Sequence, residues 1–293
     1  MSKILENSPK VSELIKSTRE TTNLFSLKET QDLIFSSDPD LIVMSAAKVG
    51  GIMANNTYRT EFIIENLKIN MNIYESCLEK NNIKIINLGS SCIYPLNAKN
   101  PIKEDYFMSG KLEPTNSPYA MAKIASIEIG DAVNKQYGNS VINLMPTNLY
   151  GPNDRFSENE SHVIPGLIHR MHIAKINNLE NFQIWGTGAP LREFLYVDDL
   201  AYAIEFLLDV EWSESILNIG SGKEISIKDL SYLIQKIVGY EGSISFDSSK
   251  PDGNPRKLLD STKVNNLGWS PVFDLEEGLF KTYQWYLENI SKN

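Results

Sequence analysis

The first glycine of this 293-residue chain is Gly50. A strand-to-helix turn whose backbone closely approaches a bound phosphate relies on glycine, so no such turn is expected before residue 50. Cysteine is scarce: Cys77 and Cys92 are too few for a disulfide framework, which predicts a reducing compartment. The three histidines, His162, His169 and His172, share one short segment, and their spacing is not that of a zinc site. No metal is expected. Basic excess is absent too: 28 Lys and Arg against 37 Asp and Glu leave a formal net charge of −9, and no window carries the cationic patch of a nucleic-acid partner. No apolar run reaches membrane-spanning length, and none follows a basic start. The expectation is a cytoplasmic chain with no membrane partner.

What is present is an alternation of strand and helix patterns, which predicts an α/β fold around a parallel sheet. Apolar runs at residues 41–45, 83–88 and 141–144 read as buried strands. Each is followed by small or polar residues at its carboxyl end, where open sheets bind ligands. Leu14-Ile15 is strand-like. Long helical segments are expected at about residues 60–80 and 117–138. Beyond Gly151 the pattern shifts to a helix from residue 163, short strands near residues 182–188, 192–197 and 217–220, and a helix to residue 238. Asp198 or Asp199 is a candidate cap for the helix after residue 197, and Ser226 with Asp229 a candidate capping box. The length suits two sub-structures.

The chemistry is concentrated in Ser117-Pro118-Tyr119-Ala120-Met121-Ala122-Lys123 and in Gly89-Ser90-Ser91-Cys92-Ile93-Tyr94-Pro95. Ser117 can cap a helix and Pro118 open it. Tyr119 and Lys123, four apart, then share one face. A lysine ammonium held there would lower the phenol pKa and suit the tyrosine to proton transfer. Ser90 or Ser91 could hold a carbonyl oxygen. Hydride transfer at a carbonyl needs such groups, and its hydride comes from a nicotinamide. Plainer readings stand beside these. Tyr119 and Lys123 alone would be a solvated helix pair, and Cys92 a small buried hydrophobe. Cys77 reads as core, and His169 and His172 as helix-surface residues. Arg170 could pair on the surface, and Trp185 could be core. Arg256 and Lys257 read as solvated, and Arg19 as a charged loop residue.

The ordered set of strings resembles the extended short-chain dehydrogenase/reductase family, and within it the GDP-L-fucose synthase branch. It comprises Ala46-Ala47-Lys48-Val49-Gly50-Gly51-Ile52, Ala54-Asn55-Asn56-Thr57-Tyr58, the Gly89–Pro95 stretch, Glu113-Pro114-Thr115-Asn116, residues 145–152, Ser161-His162-Val163-Ile164-Pro165 and Lys250-Pro251-Asp252-Gly253. The resemblance covers roughly residues 14–289. It implies a Rossmann-like parallel sheet, with its first strand and helix missing, and a smaller α+β substrate lobe. The implied division is a dinucleotide-binding domain of residues 1–158 and 192–220 and a lobe of residues 159–191 and 221–293. It further implies NADPH-dependent 3,5-epimerisation and 4-reduction of GDP-4-keto-6-deoxy-D-mannose to GDP-L-fucose, by a homodimer built through the two long helices.

The roles implied by the resemblance are specific. Ser90, Tyr119 and Lys123 would form the reductase triad, with Cys92 and His162 the base and acid of the epimerisation. Thiol and imidazole both titrate near enough to neutrality for that exchange. Arg19, Ala46, Ala47, Leu88, Gly89, Ser90, Ser91, Lys123, Pro146, Thr147, Asn148, Leu149 and His162 would contact NADPH. Arg170, Trp185 and Arg192 would hold the GDP-sugar. The family's glycine-rich strand, turn and helix precede the segment matching Leu14, and here thirteen unrelated residues stand in that place. That departure keeps two other readings open. One is a truncated, inactive nucleotide-sugar-binding remnant or partner subunit. The other is a different sugar-nucleotide epimerase or dehydratase, against which Cys92, His162 and the triad argue.

Overall fold

The computed structural model describes every residue except 79, 81, 82, 139, 158–160, 251, 292 and 293, and of Ile52 the backbone alone. Pro251 and the expected domain boundary at residues 158 and 159 therefore lie outside the described residues. The first half of the chain runs α1 Ser2–Glu6, α2 Leu27–Ser37, β1 Leu41–Met44, α3 Ile52–Thr57, α4 Arg59–Leu78, β2 Lys84–Leu88, α5 Ser117–Tyr137, β3 Ser140–Pro146 and β4 Asn148–Tyr150. It continues α6 Val163–Ile176, β5 Asn181–Trp185, β6 Leu191–Tyr196, α7 Val197–Leu207, β7 Ile216–Ile219, β8 Glu224–Ser226, α8 Ile227–Val238, β9 Ser243–Asp247, β10 Arg256–Lys257, α9 Thr262–Leu267 and α10 Leu275–Asn289.

The central sheet is parallel, in the order β1-β2-β3-β7. A parallel sheet must be covered on both faces, and its strands are accordingly mostly apolar, with the buried Asn87, Asn143 and Asn218 among them. On one face Ile69, Ile73 and Tyr74 of α4 and Val133 of α5 pack over Ile85 and Val141. On the other, Leu200, Ile204 and Leu207 of α7, joined by Leu5 of α1, pack over Ile86, Ile142 and Leu144. The alternation of Ile85 and Ile86 between the two cores is the period of a strand made visible.

Among the described residues no strand precedes Leu41. The strand-like Leu14-Ile15 forms none: Leu14 packs beside the second core, and Ile15 is exposed. A doubly wound sheet binds its dinucleotide where the strand order reverses. Here the order grows in one direction only. β1 is thus an edge, its Leu41, Ile42 and Val43 only half-buried, and Phe25, Phe35, Val49 and Met53 lie exposed in the flanking segments. An edge of purely apolar residues has no charge or proline to guard it.

A second, smaller sheet is centred on β6. It pairs in parallel with β4 and β10 and antiparallel with β8. β5 and β9 form a separate parallel pair. α6, α8 and α10 build a third core, which includes Ile168, Met171, Ile234, Leu279 and Tyr286. Glu193 of β6, fully buried, accepts from the amides of Gly222 and Leu259 and so ties the end of β7 to the segment after β10. A buried carboxylate is tolerated when such donors satisfy it.

Three local expectations change. The Tyr-Lys helix begins at Ser117 with Asn116 as N-cap, and the Ser117 hydroxyl turns back to the Pro114 carbonyl instead of capping. Asp198 and Asp199 sit in the first turn of α7. Asp199 accepts from the amides of Val272 and Phe273, a tertiary demand that wins over local capping. His169 and His172 are not surface residues: their Nδ1 atoms bond the hydroxyls of Tyr286 and Tyr283 of α10 at 2.9 and 3.0 Å. The Ser226–Asp229 cap does form, with the Asp229 amide donating to Ser226 Oγ at 2.9 Å.

Candidate active site

β2 delivers its carboxyl end beneath α5. At Gly89 a Cβ would stand 2.2 Å from Met145 Cε and 3.2 Å from the Leu144 carbonyl oxygen, so glycine lets β2 and β3 converge there. Ser90 then breaks the strand, its Oγ accepting from the Cys92 amide at 3.3 Å. The short 3₁₀ turn that follows, Ser91–Ile93, buries the Cys92 thiol. Lys123 on α5 is buried and reaches over the same strand end, donating from Nζ to the Leu88 carbonyl at 2.6 Å. One turn earlier on α5, Tyr119 lies with its ring centroid 5.8 Å from that Nζ and edge-on to Phe62. Ser90, Cys92, Tyr119 and Lys123 thus gather at one end of β2.

Burial governs their titration. It pushes the Tyr119 phenol well above its ordinary value, and the Cys92 charge adds to the rise. The sequence-based expectation of a phenol made acidic by Lys123 does not hold here, because the ammonium is engaged by a backbone carbonyl and desolvation dominates. Lys123 itself is lowered to about 8 by burial. Burial also raises the Cys92 thiol, against which Lys257, the Ser90 hydroxyl and Lys123 act.

The residues expected at the cofactor lie at neighbouring strand ends. Ala46 and Ala47 follow β1, Leu88, Gly89, Ser90 and Ser91 close β2, and Pro146, Thr147, Asn148 and Leu149 run from the end of β3 into β4. Parallel pairing puts all three ends on one side of the sheet. Thr147 and Asn148 are held by the Glu193 carbonyl. Among the described residues Lys123 makes one hydrogen bond although an ammonium offers three donors, which fits a sugar hydroxyl of a bound nicotinamide nucleotide. Arg19 lies in an exposed turn and has no hydrogen bond or ion pair among the described residues. Among the described residues no glycine-rich turn stands there to receive a pyrophosphate.

His162 is exposed at the N-cap of α6 and faces the Asp154 carboxyl, which burial raises and the imidazole lowers. Arg170, on the same helix, lies with its guanidinium 5.2 Å from the Phe182 ring. Trp185 closes β5 and is 64% exposed, with the Lys250 ammonium 5.8 Å from its ring, so it is not core. Arg192 is half-buried and donates to the Leu191 carbonyl; burial lowers its pKa and Asp252 opposes that. Asp252 also accepts from the amide and hydroxyl of Thr187, pinning the turn at Gly186, whose φ of 86° favours glycine. An exposed indole suits a base, and arginines suit a diphosphate.

The sequence reading missed Glu113, Asp252 and Lys257. Glu113 accepts from the Thr115 hydroxyl and from the amides of Thr115 and Asn116, fixing the approach to α5. Burial pushes its carboxyl up, but those bonds outweigh it and hold it below the usual value. Asp252 and Glu113 both lie in strings already singled out. Lys257 carried no such signal. It was read as solvated with Arg256, yet only Arg256 is exposed, paired with Glu224 at 2.8 Å.

Comparison with known proteins places these features. Residues 5–220 match the model of the NAD dependent epimerase/dehydratase family. The chain is 51% identical to a probable GDP-L-fucose synthase 1 of Oryza sativa subsp. japonica over 253 residues, 86% of this chain and 77% of that one. It is 46% identical to the GDP-L-fucose synthase of Escherichia coli (strain K12) over 286 residues, covering 94% of this chain and 89% of the other. A solved GDP-L-fucose synthetase from Naegleria fowleri bound to NADP superposes with a TM-score of 0.88 at 26% identity, covering 98% of this chain and 89% of that chain.

Proposed function

The chain belongs to the NAD-dependent epimerase/dehydratase family, and we propose that it converts GDP-4-keto-6-deoxy-D-mannose to GDP-L-fucose, epimerising C3 and C5 and then reducing C4. The convergence of Ser90, Cys92, Tyr119 and Lys123 at the end of β2 is the observation that carries this reading. Bound NADPH supplies the hydride for the final reduction.

Protons beside the C4 ketone are acidic because the carbonyl takes up the electron pair left by the broken C–H bond. Cys92, as thiolate, takes such a proton on one face of the ring. His162 returns one on the other. The Ser90 hydroxyl donates to the carbonyl oxygen and holds it. With stereochemistry inverted, Tyr119 gives its phenolic proton to that oxygen as the ketone becomes an alcohol. A phenol held protonated by burial is the correct form for this donation. Lys123 stabilises the tyrosinate that results, and the donors it has free hold the nicotinamide ribose. Arg170 and Arg192 hold the diphosphate, and Trp185 the guanine. Exposed Ile64 and Met71 on α4 and Met121 on α5 favour a homodimer through those helices.

A second reading has its own observation. The bare edge of β1 and the absence of a pyrophosphate cradle among the described residues favour a nucleotide-sugar-binding subunit without turnover. One titration separates the two. The chain is titrated with NADPH by nicotinamide fluorescence, then given the keto sugar while nicotinamide absorbance is followed. Binding with oxidation supports the enzyme; no binding at high concentration retires it.

A further inference from the structure

The turn that carries Cys92 is held only weakly by its own backbone. Across Ser91–Ile93 the Ile93 amide donates to the Ser90 carbonyl at 3.2 Å and the Tyr94 amide to the Ser91 carbonyl at 3.4 Å, long bonds for a single 3₁₀ turn. Its seat is therefore set by tertiary contacts. Ile93, fully buried, enters an apolar cluster with Ile102, Ile127, Met145 and Leu259. Such contact fixes depth but has no direction. Tyr94 enters the same cluster, and its hydroxyl goes on to donate to Asn218 Oδ1 of β7 at 2.6 Å.

Asn218 is the point where four segments meet. Its Nδ2 donates to the Ile102 carbonyl at 2.9 Å and to the Asp260 carbonyl at 3.1 Å. Its backbone amide donates to Glu104 Oε1 at 2.9 Å. With both side-chain protons spent on carbonyls, the oxygen left facing the turn calls for a donor. Burial pushes the Tyr94 phenol up, so its hydroxyl stays one. Tyr94, Glu104 and Asn218 are all buried, and phenylalanine at position 94 would leave Oδ1 unpartnered and out of reach of water. Asn218 also pairs with Met145 in the central sheet, next to the strand end that runs on to Thr147.

We propose that Tyr94 is a positioning residue for the epimerisation base: its bond to Asn218 seats the Ser90–Cys92 turn against the central sheet and so fixes where the Cys92 thiol stands. The inference rests on the reading of Cys92 as that base. Asn218 is itself held at three other points, so the bond ties the turn to a fixed mark. Tyr94 stands two residues beyond Cys92, too close for slack in the chain to absorb its loss.

The test uses the full chain without substrate, with Cys77 as internal reference. Cys77 is fully buried on α4 in a separate core, so its labelling reports wider opening of the fold. Iodoacetamide labelling of both cysteines is followed by peptide mass spectrometry in wild type and Tyr94→Phe. Cys92 is expected to label about tenfold faster in the variant, the usual weight of a buried acceptor left unsatisfied, with Cys77 within about twofold of wild type. An acceleration of Cys92 no greater than that of Cys77 overturns the proposal and makes Tyr94 a residue of overall stability only. Should Tyr94→Phe not fold, amide hydrogen exchange of the wild type decides. Tyr94 and Asn218 amides released in one opening support the proposal, and a Tyr94 amide that exchanges well before that of Asn218 sinks it. With the keto sugar present, Tyr94→Phe should slow solvent-deuterium incorporation about tenfold at little change in KM, and should slow it no further in a Cys92→Ser background. An equal further loss there would place the action of Tyr94 elsewhere and overturn the proposal. Undiminished incorporation in Cys92→Ser itself retires Cys92 as the base, so a wrong base is told apart from a wrong seat.

Discussion

Lys123 stands 5.8 Å from the ring centroid of Tyr119, but its hydrogen bond goes to the Leu88 carbonyl at 2.6 Å, not to the phenol. The ammonium is therefore anchored to the strand end instead of to its helical neighbour. The phenol stays protonated until a substrate oxygen arrives to take the proton.

That arrangement separates the two half-reactions. Tyr119→Phe is expected to lower the rate of NADPH oxidation by about 10²- to 10⁴-fold, the usual range for a lost general acid. Slow incorporation of deuterium from solvent at the sugar carbons should persist, since Cys92 and His162 are untouched. Mass spectrometry of the recovered sugar checks this; equal loss of both activities would count against distinct roles.

Lys123 has a folded pKa of about 8, depressed by burial below the value of a free lysine. Between those values the unfolded chain binds the extra proton, so stability rises with pH through that window. Lys123→Met should consequently gain on wild type most at neutral pH, by about 3 kcal/mol at the upper limit, with the difference closing as pH climbs past 8. Paired urea melts across pH are the measurement. A pH-independent difference would show that the ammonium is not desolvated.

His172 is buried, and burial, aided by Lys175 and His169, lowers its pKa. Its native ring is neutral, so the unfolded state takes up the proton first and stability falls as the medium is acidified below the ordinary histidine range. His172→Gln should flatten that acid limb of a thermal-melting profile, whatever its effect at neutral pH. An unchanged slope would show that other groups govern acid unfolding.

Gly89→Ala brings a methyl group within 2.2 Å of Met145 Cε, a movable group, and 3.2 Å of the Leu144 carbonyl oxygen, a fixed one. The expected loss is about 1–3 kcal/mol in chemical denaturation, as for an overpacked core. Combined with Met145→Ala, it should cost less than the two changes summed, because the shared contact is removed. Strict additivity would mean that the backbone oxygen alone sets the penalty.

Much of this architecture was legible along the chain. Apolar-rich runs at residues 41–45 and 83–88, and four-residue spacing in Tyr119 and Lys123, are local signals, and the strands and helix formed where they lay. The strand-like Leu14-Ile15 failed because a strand needs a neighbour to receive its backbone bonds, and none is there among the described residues. His169 and His172 were misjudged for a related reason: their tyrosine partners on α10 lie 117 and 111 residues away.

By itself the amino-acid order determined the parallel sheet, the Tyr119–Lys123 face, the Ser90–Cys92 turn and the family these strings mark. The elements and strings behind those features depend on residues within a turn or two of one another, where periodicity and side-chain type suffice. Only the tertiary structure decided which way the charges face. Lys123 bonds Leu88 across 35 positions, and β10, held against β6 and the segment after the Cys92 turn, leaves Lys257 half-buried and Arg256 exposed. Desolvation then set the titration of Tyr119, Cys92 and Lys123, because burial is produced by the packing of distant elements and has no local signature.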